Sequence, residues 1–457
     1  MTNQSAAAPF ARYNGQLSEL VSSILTGSTI DPVLLAPSLD GECGQKLRQL
    51  VPIDYRRRVG AFFTSGSHRE AVASALADLP HGPYLDPTCG GGDLLLAATK
   101  YLPVGLDLAA TVQLWSTRLF GWDLHPEFTR AARLRLLLAA AARHPGTAFN
   151  ARDELNRSPL PGISVADASL RLRRRQLKDT VILLNPPFGS SPAPVDCRWA
   201  EGMTSRAAQF GEAVLNAAGP GCHLVAILPD VLRTGSRYAH WRRMVAQRSY
   251  ISMIKPLGLF DEHTDIDVFL LVLRPRDMAR TSEDPPPVVS SAAWWGVSEI
   301  SGPKVGDLFS VMVGTVVDNR DPHEGDERPF LIARDLPRRG VVGVPGRTRR
   351  FAGRLFTPPF VVLRRTSRPT TNGEVRAPGV LVRGRGSVAI DNHLLVAVPI
   401  DGRVDTCRRL LTVLEHEGTT KSLDERIRCR HLTVGAVREL PFSGSQTQAA
   451  SSSPAFS

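Results

Sequence analysis

Val181-Ile182-Leu183-Leu184-Asn185-Pro186-Pro187-Phe188 is the stretch on which the reading of this chain turns. Four apolar residues predict a buried strand, and the Asn-Pro-Pro that follows ends it. The two prolines fix φ and remove two N–H donors, which leaves the backbone carbonyls there free to accept hydrogen bonds. Asn185 adds a side-chain carbonyl, and Phe188 adds a flat apolar face. Two acceptors beside a stacking platform suit a planar NH2 group such as the exocyclic amine of adenine. The plain alternative is a strand that stops at a proline turn, so the context has to decide.

About a hundred residues upstream stands Tyr84-Leu85-Asp86-Pro87-Thr88-Cys89-Gly90-Gly91-Gly92-Asp93-Leu94. It reads as a strand, a glycine-rich turn and the start of a helix. Consecutive glycines let a backbone approach a ligand closely and adopt positive φ. The spacing is neither the Gly-x-Gly-x-x-Gly of a dinucleotide site nor a phosphate loop with its Gly-Lys-Ser/Thr. Asp86, at the strand end, is placed to accept from an ammonium group.

Taken as an ordered pair, Asp-Pro-x-Cys-Gly-x-Gly and the later Asn-Pro-Pro-Phe resemble the S-adenosylmethionine-dependent N6-adenine DNA methyltransferases. The resemblance is nearest to type I modification subunits and to solitary enzymes of the gamma motif order. Gly60-Ala61-Phe62-Phe63-Thr64 is similar to that family's leading segment, usually Gly-x-Phe-Phe-Thr-Pro, although Ser65 stands where the family has Pro. Gly221 to Asp230 resembles the next core strand. The likeness covers roughly residues 56 to 276. It implies S-adenosylmethionine as cofactor, held by Thr64, Asp86, Pro87, Cys89, Gly90, Gly92, Asp123 and Asp167. It also implies that Asn185, Pro186, Pro187 and Phe188 carry the chemistry on an adenine flipped out of the duplex.

The surrounding pattern agrees. Apolar strands alternate with helical stretches from Arg56 onward, which predicts an α/β Rossmann-like domain with a mostly parallel sheet and helices on both faces. Ligands in such sheets bind at the carboxyl ends of strands. Asp86, Asp123, Asp167 and Asn185 all fall at predicted carboxyl ends. Asp123 is the candidate for the ribose hydroxyls because one carboxylate can accept from both. Asp107, closer to the usual spacing from the glycine turn, is its rival. Asp167 is the candidate partner of the cofactor's adenine amine. For each Asp the structural alternative is a helix N-cap.

Length and charge set the rest. At 457 residues two domains are expected, at about 100–200 residues each. A formal charge of +11 favours an anionic partner such as nucleic acid. The six cysteines are scattered without paired metal-ligand spacing, so no metal is expected and reduced thiols point to the cytoplasm. No apolar run of about 18 residues exists and the N-terminus lacks signal-peptide order, so no membrane span is expected. The expected layout is a partly helical leader over 1–55, a methyltransferase domain over 56–276, a linker over 277–300, a recognition domain over 301–442 and a disordered tail over 443–457.

The 301–442 region reads as a β-rich α+β domain, with short strands broken by Gly and Pro. Between Arg338 and Arg385 lie twelve Arg and one acid, Glu374. Val305 to Phe309, Leu331 to Leu336 and Leu432 to Phe442 resemble the repeating elements of type I specificity-subunit target-recognition domains. Arg347, Arg349, Arg350, Arg364 and Arg365 are the candidates for DNA contact, because arginine binds phosphates by charge and reads guanine bidentately. The expected activity is site-specific adenine-N6 methylation of double-stranded DNA, in a restriction-modification or phage-defence system with a restriction or specificity partner subunit. The alternatives are an RNA or protein-glutamine methyltransferase, since an amide also presents a planar NH2, and a catalytically silent DNA-binding paralogue.

Overall fold

The computed structural model describes residues 9–29, 31–147, 159–261, 264–276, 294, 302–367, 374–426 and 432–442. The expected tail, and the expected linker apart from Trp294, lie outside these residues. The chain divides into two units: Met1–Leu232 with Tyr238–Val289, and Arg233–Arg237 with Ser290–Ser457.

In the first unit the leader forms four helices, α1 (Ala11–Leu25), α2 (Pro32–Leu39), α3 (Glu42–Leu50) and α4 (Ile53–Val59). Phe10, Tyr13, Leu17, Leu35, Cys43 and Leu47 are buried in the same apolar cluster as the core strands. The leader thus completes the core of this unit. Next come α5 (Gly66–Leu76), β1 (Tyr84–Asp86), α6 (Asp93–Ala98), α7 (Leu108–Ser116), β2 (Leu119–Asp123), α8 (Pro126–Ala141), β3 (Ile163–Val165), α9 (Ala168–Arg173) and β4 (Val181–Leu184). A two-stranded hairpin, β5 (Ser190–Pro192) and β6 (Met203–Ser205), leads into α10 (Arg206–Ala217) and β7 (His223–Pro229). The helix Ala239–Arg248 precedes β8 (Ser249–Asp261) and β9 (Thr264–Pro275).

These strands make one seven-stranded sheet in the order β3-β2-β1-β4-β7-β9-β8. The first five run parallel, while β9 is antiparallel to β7 and β8. The expected largely parallel α/β sheet is therefore present. Val181 to Leu184 are all buried, as a strand covered on both faces must be. The sequence reading missed β8, whose register shifts three times and whose Pro256 and Gly258 break the alternation that marks a strand.

The second unit holds β10 (Phe309–Val313), β11 (Glu327–Leu331), β12 (Gly340–Val342), β13 (Thr348–Arg350), β14 (Phe360–Arg364), β15 (Gly379–Val382), β16 (Ala389–Ile390) and β17 (Leu394–Pro399). They form a five-stranded sheet, β10-β17-β14-β15-β12, and a three-stranded one, β13-β11-β16. Alternation sorts the large sheet's side chains. Val361, Leu363, Leu381 and Leu395 face one cluster, and Val362, Val380, Val382 and Val396 face another. After the strands come three helices, Val404–Glu415, Glu417–Arg426 and Val434–Arg438. The first was not expected, although Cys407, Leu410 and Leu414 mark its buried stripe. The repeat-like ends meet: Val305 N donates to the Leu440 carbonyl (2.8 Å) and Phe442 N to that of Pro303 (2.8 Å).

Candidate functional site

Strand β1 ends at Asp86 and the chain turns through Pro87 and Thr88. Asp86 Oδ1 accepts from the Thr88 N–H at 2.9 Å. Cys89 N donates to the Trp122 carbonyl at 2.9 Å, which ties the turn to β2. Gly90 has φ +49, and a Cβ there would lie 2.8 Å from the Phe63 ring, so a side chain fails on both counts. Gly92, at φ +86, is the N-cap residue of α6.

At the end of β2, Asp123 accepts from Gly90 N (3.1 Å, Oδ2) and from His125 N (2.8 Å, Oδ1). A carboxylate thus clamps the glycine turn from the neighbouring strand. Burial raises the pKa of both acids, and Asp86 is pushed up to about 8, with the charges of Asp123 and Asp93 adding to the burial effect. The Cys89 thiol, 4% exposed, is pushed upward by burial too, so it packs rather than attacks.

A charged pair lies under the turn. The fully buried Arg135 of α8 donates to the carbonyls of Gly91 (2.5 Å) and Ser38 (2.7 Å) and pairs with Asp93 (2.9 Å). It links the leader, the turn and the first residue of α6. Nothing in its sequence context marks it, because an Arg inside a helix is ordinarily solvated.

At the end of β4, the Asn185 amide donates through Nδ2 to Thr64 Oγ1 at 2.9 Å, which leaves Oδ1 as the free acceptor. Thr88 Oγ1 donates to the Asn185 carbonyl at 3.3 Å. Gly60 belongs to the same joint. It has φ +73, and a Cβ there would come within 2.5 Å of Pro187 Cβ. The three segments quoted from the sequence therefore touch.

They share a cavity of about 440 Å³, lined by Pro87, Gly90, Asp123, Asp167, Asn185 and Pro187 together with Phe62, Phe63, Leu124, Phe128 and Phe210. A recess of about 20 Å³ is lined by Thr64, Asp86, Cys89, Gly90 and Asn185. Arg58 and Arg206 also line the larger cavity, and Arg206 Nη1 donates to the Arg58 carbonyl at 3.0 Å. Asp167 both lines the cavity and caps α9, accepting from Ser169 N (2.8 Å) and Leu170 N (3.3 Å). Asp107 caps α7 on the surface and is not among the lining residues, whereas Asp123 is.

Three quoted residues do not line either space. Gly92 packs against Ala132 of α8, and Pro186 is buried. Phe188 differs from the expected open plate. It is 4% exposed, parallel to Phe62 within 20° at 6.3 Å, and edge-on to Phe260 at 5.0 Å. The aromatic rings that line the cavity are Phe62, Phe63, Phe128 and Phe210. Phe62 was quoted only as part of the leading segment. Arg206 and Phe210 could have been found from their i, i+4 spacing on one helix face.

A buried Asp86, a partly exposed Asp123, a glycine turn and apolar walls suit a ligand with a cationic end, hydroxyls and a flat ring. These residues thus fit S-adenosylmethionine. Among the described residues no group of three or more His, Cys, Asp or Glu is placed to hold a metal ion. No described helix is long and apolar enough to cross a membrane.

The arginines chosen in the second unit have unequal surroundings. Arg349 is 4% exposed, pairs with Asp318 and donates to the Asp321 carbonyl (2.7 Å). Arg364 donates to the carbonyls of Leu336 (2.6 Å), Ala333 (3.2 Å) and Pro337 (3.2 Å). Both guanidiniums thus spend hydrogen bonds within the fold. Arg347 is half exposed beside Asp335, and Arg350 is exposed with Nε on the Gly325 carbonyl (3.0 Å). Arg365 reaches the Asn392 carbonyl at 3.4 Å.

No protein-family model matches the chain, and no curated protein matches it. Solved structures do. The chain is similar to the type IIL restriction-modification enzyme MmeI, solved in complex with DNA, at 13% identity over 90% of this chain and 71% of that one, with a TM-score of 0.53. It is also similar to a protein described as a class I S-adenosylmethionine-dependent methyltransferase from Listeria monocytogenes (18% identity, 56% and 73% covered, TM-score 0.37). A third match is a modification subunit ascribed to a type I restriction enzyme of Vibrio vulnificus YJ016 (17% identity, 55% of this chain, TM-score 0.38). The chain spans about half of that subunit, 51%. At these identities the likeness to MmeI shows a shared fold.

Proposed function

We propose that this chain is a DNA methyltransferase that transfers a methyl group from S-adenosylmethionine to adenine N6 in duplex DNA, within a restriction-modification or phage-defence system. One observation carries the proposal: Asn185 and Pro187 line the same cavity as the glycine turn and Asp123, with Asp86 in the adjoining recess. The fold likeness to MmeI and the net positive charge of residues 301–457, with 24 basic and 16 acidic residues, support it.

Asp123 would hold the ribose hydroxyls, Asp167 the adenine amine and Asp86 the ammonium end. Bound there, the cofactor supplies an electrophilic methyl group. Asn185 Oδ1, left free by the Thr64 bond, accepts a hydrogen of the target amine. This localises the nitrogen lone pair on a nucleophile held in position, and positioning supplies much of the rate. Phe62, backed by Phe188, offers the face against which the extruded base stacks. Such contacts are worth about 1–3 kcal/mol. The partners would be double-stranded DNA and a restriction or specificity subunit, and the place the cytoplasm.

Incubation with labelled S-adenosylmethionine tests the proposal. Label in duplex DNA, recovered as N6-methyladenine, is expected. Label in RNA or protein with none in DNA overturns it, as does turnover-free cofactor binding.

A further inference from the structure

The second unit has a cleft of its own, about 490 Å³ in volume, that the arginine-rich sequence did not announce. Three turns build it: the one after β10 with Asp318 and Asn319, the one after β11 with Arg334, and the one between β16 and β17 with Asp391 and His393. Backbone bonds tie the turns together. Val316 N donates to Ile390 O (3.0 Å), Asn392 N to Val316 O (2.8 Å) and Asp391 N to Leu331 O (3.0 Å). Arg364 pins the wall through the three carbonyls already named. These bonds join the three turns into one wall.

Its lining chemistry is mixed. Arg334 and Asn319 are exposed and have no hydrogen-bond or ion-pair partner among the described residues. His393 is exposed, its Nδ1 3.1 Å from the largely buried Asp391 carboxylate. Two carboxylates, Asp318 beside Arg349 and Asp391 beside His393, add hydrogen-bond acceptors to the lining. They accept readily from an exocyclic amine, as an arginine fork donates to the guanine edge and an amide pairs with adenine.

We infer that this cleft reads base edges of duplex DNA, with Arg334 and Asn319 as specificity-determining residues, while the phosphates are gripped by arginines elsewhere. The inference rests on the DNA methyltransferase reading above. It assigns sequence choice to side chains that the fold leaves unengaged rather than to the densest arginine run.

The paired substitutions Arg334→Ala and Asn319→Ala test it in the full chain. DNA from cells expressing wild-type or variant protein is sequenced for methylated sites, and purified protein is titrated with an unrelated duplex over a range of salt. Methylation of the wild-type site is expected to fall about ten- to hundredfold, with relaxed choice at one or two positions, while binding to the unrelated duplex stays within about twofold. An unchanged site and rate overturn the inference. Equal loss of specific and non-specific binding also overturns it, because the residues would then grip phosphate or support the fold. If the wild type methylates no duplex DNA, the functional reading fails instead, and that result is distinct.

Discussion

The first unit's cavity and the second unit's arginine-rich strands are opposite cases of what a sequence displays. In the cavity, residues 60, 64, 86, 90, 123 and 185 come together as their motifs implied. In the second unit, arginines singled out for density are engaged at Arg349 and Arg364, while Arg334 stands unpartnered at a cleft. The difference is one of constraint. A positive φ at Gly90 or a proline after a strand forces the main chain, and the main chain then places the ligand groups. An arginine on a strand obeys no such rule, for its long side chain reaches whichever carbonyl or acid lies near.

The sharpest break of this comparison is at Asn185. Asn185→Ala should lower turnover by at least about a hundredfold, a loss of the size seen when one positioned hydrogen-bonding group is removed from an active site. Cofactor and DNA binding should change little, which equilibrium titration beside single-turnover rates will show. Equal loss of binding would make the residue structural. Thr64 sharpens the same point. Because its hydroxyl holds the Asn185 amide, Thr64→Val should lower the chemical rate by up to about tenfold, the worth of one neutral hydrogen bond, and Thr64→Ser should restore it. A rise in cofactor Kd at unchanged rate would return Thr64 to a plain cofactor contact.

Asp86 yields a pH dependence. Burial raises its pKa to about 8 from the ordinary carboxyl value of 3.8, so between these values the folded protein holds a proton that the unfolded chain does not. Its stabilising contribution is full below pH 3.8 and is lost as pH rises through about 8. A cationic ligand favours the charged form, so binding should expel this proton. Cofactor affinity should then climb from about pH 6 to 8, by no more than about tenfold per unit, and level off above. Calorimetry in buffers of different ionisation enthalpy reads the released proton, and Asp86→Asn should flatten the profile. A pH-independent affinity in the wild type would remove Asp86 from the site.

Legibility followed the same division. Val181–Leu184 was readable to the residue because a short apolar run ended at a proline turn. The strand Ser249–Asp261 was not, since its bulges erase the period-two pattern. The four leader helices were only partly visible, and their place beneath the glycine turn depends on Arg135, whose partners lie about a hundred and about forty residues away in sequence. Phe188 was legible as an aromatic but not as a covered one. The rings of Phe62 and Phe260 that enclose it come from distant segments, and no local pattern records that contact.

The smallest effect separates engaged from available arginines. If charge density alone made the interface, Arg349→Ala and Arg347→Ala would weaken DNA binding alike. The surroundings say otherwise. Arg349→Ala leaves the Asp321 carbonyl and the pocket around a buried guanidinium unmatched, a cost of roughly 1–3 kcal/mol of stability that thermal melting will detect. Arg347→Ala and Arg350→Ala remove half-exposed or exposed charges, so stability should move little. The slope of log binding constant against log salt should instead fall by about one for each that meets a phosphate. Should Arg349 change the slope and not the melting temperature, its pairing with Asp318 would have to open on DNA, and the contrast between the two regions would be one of state rather than of construction.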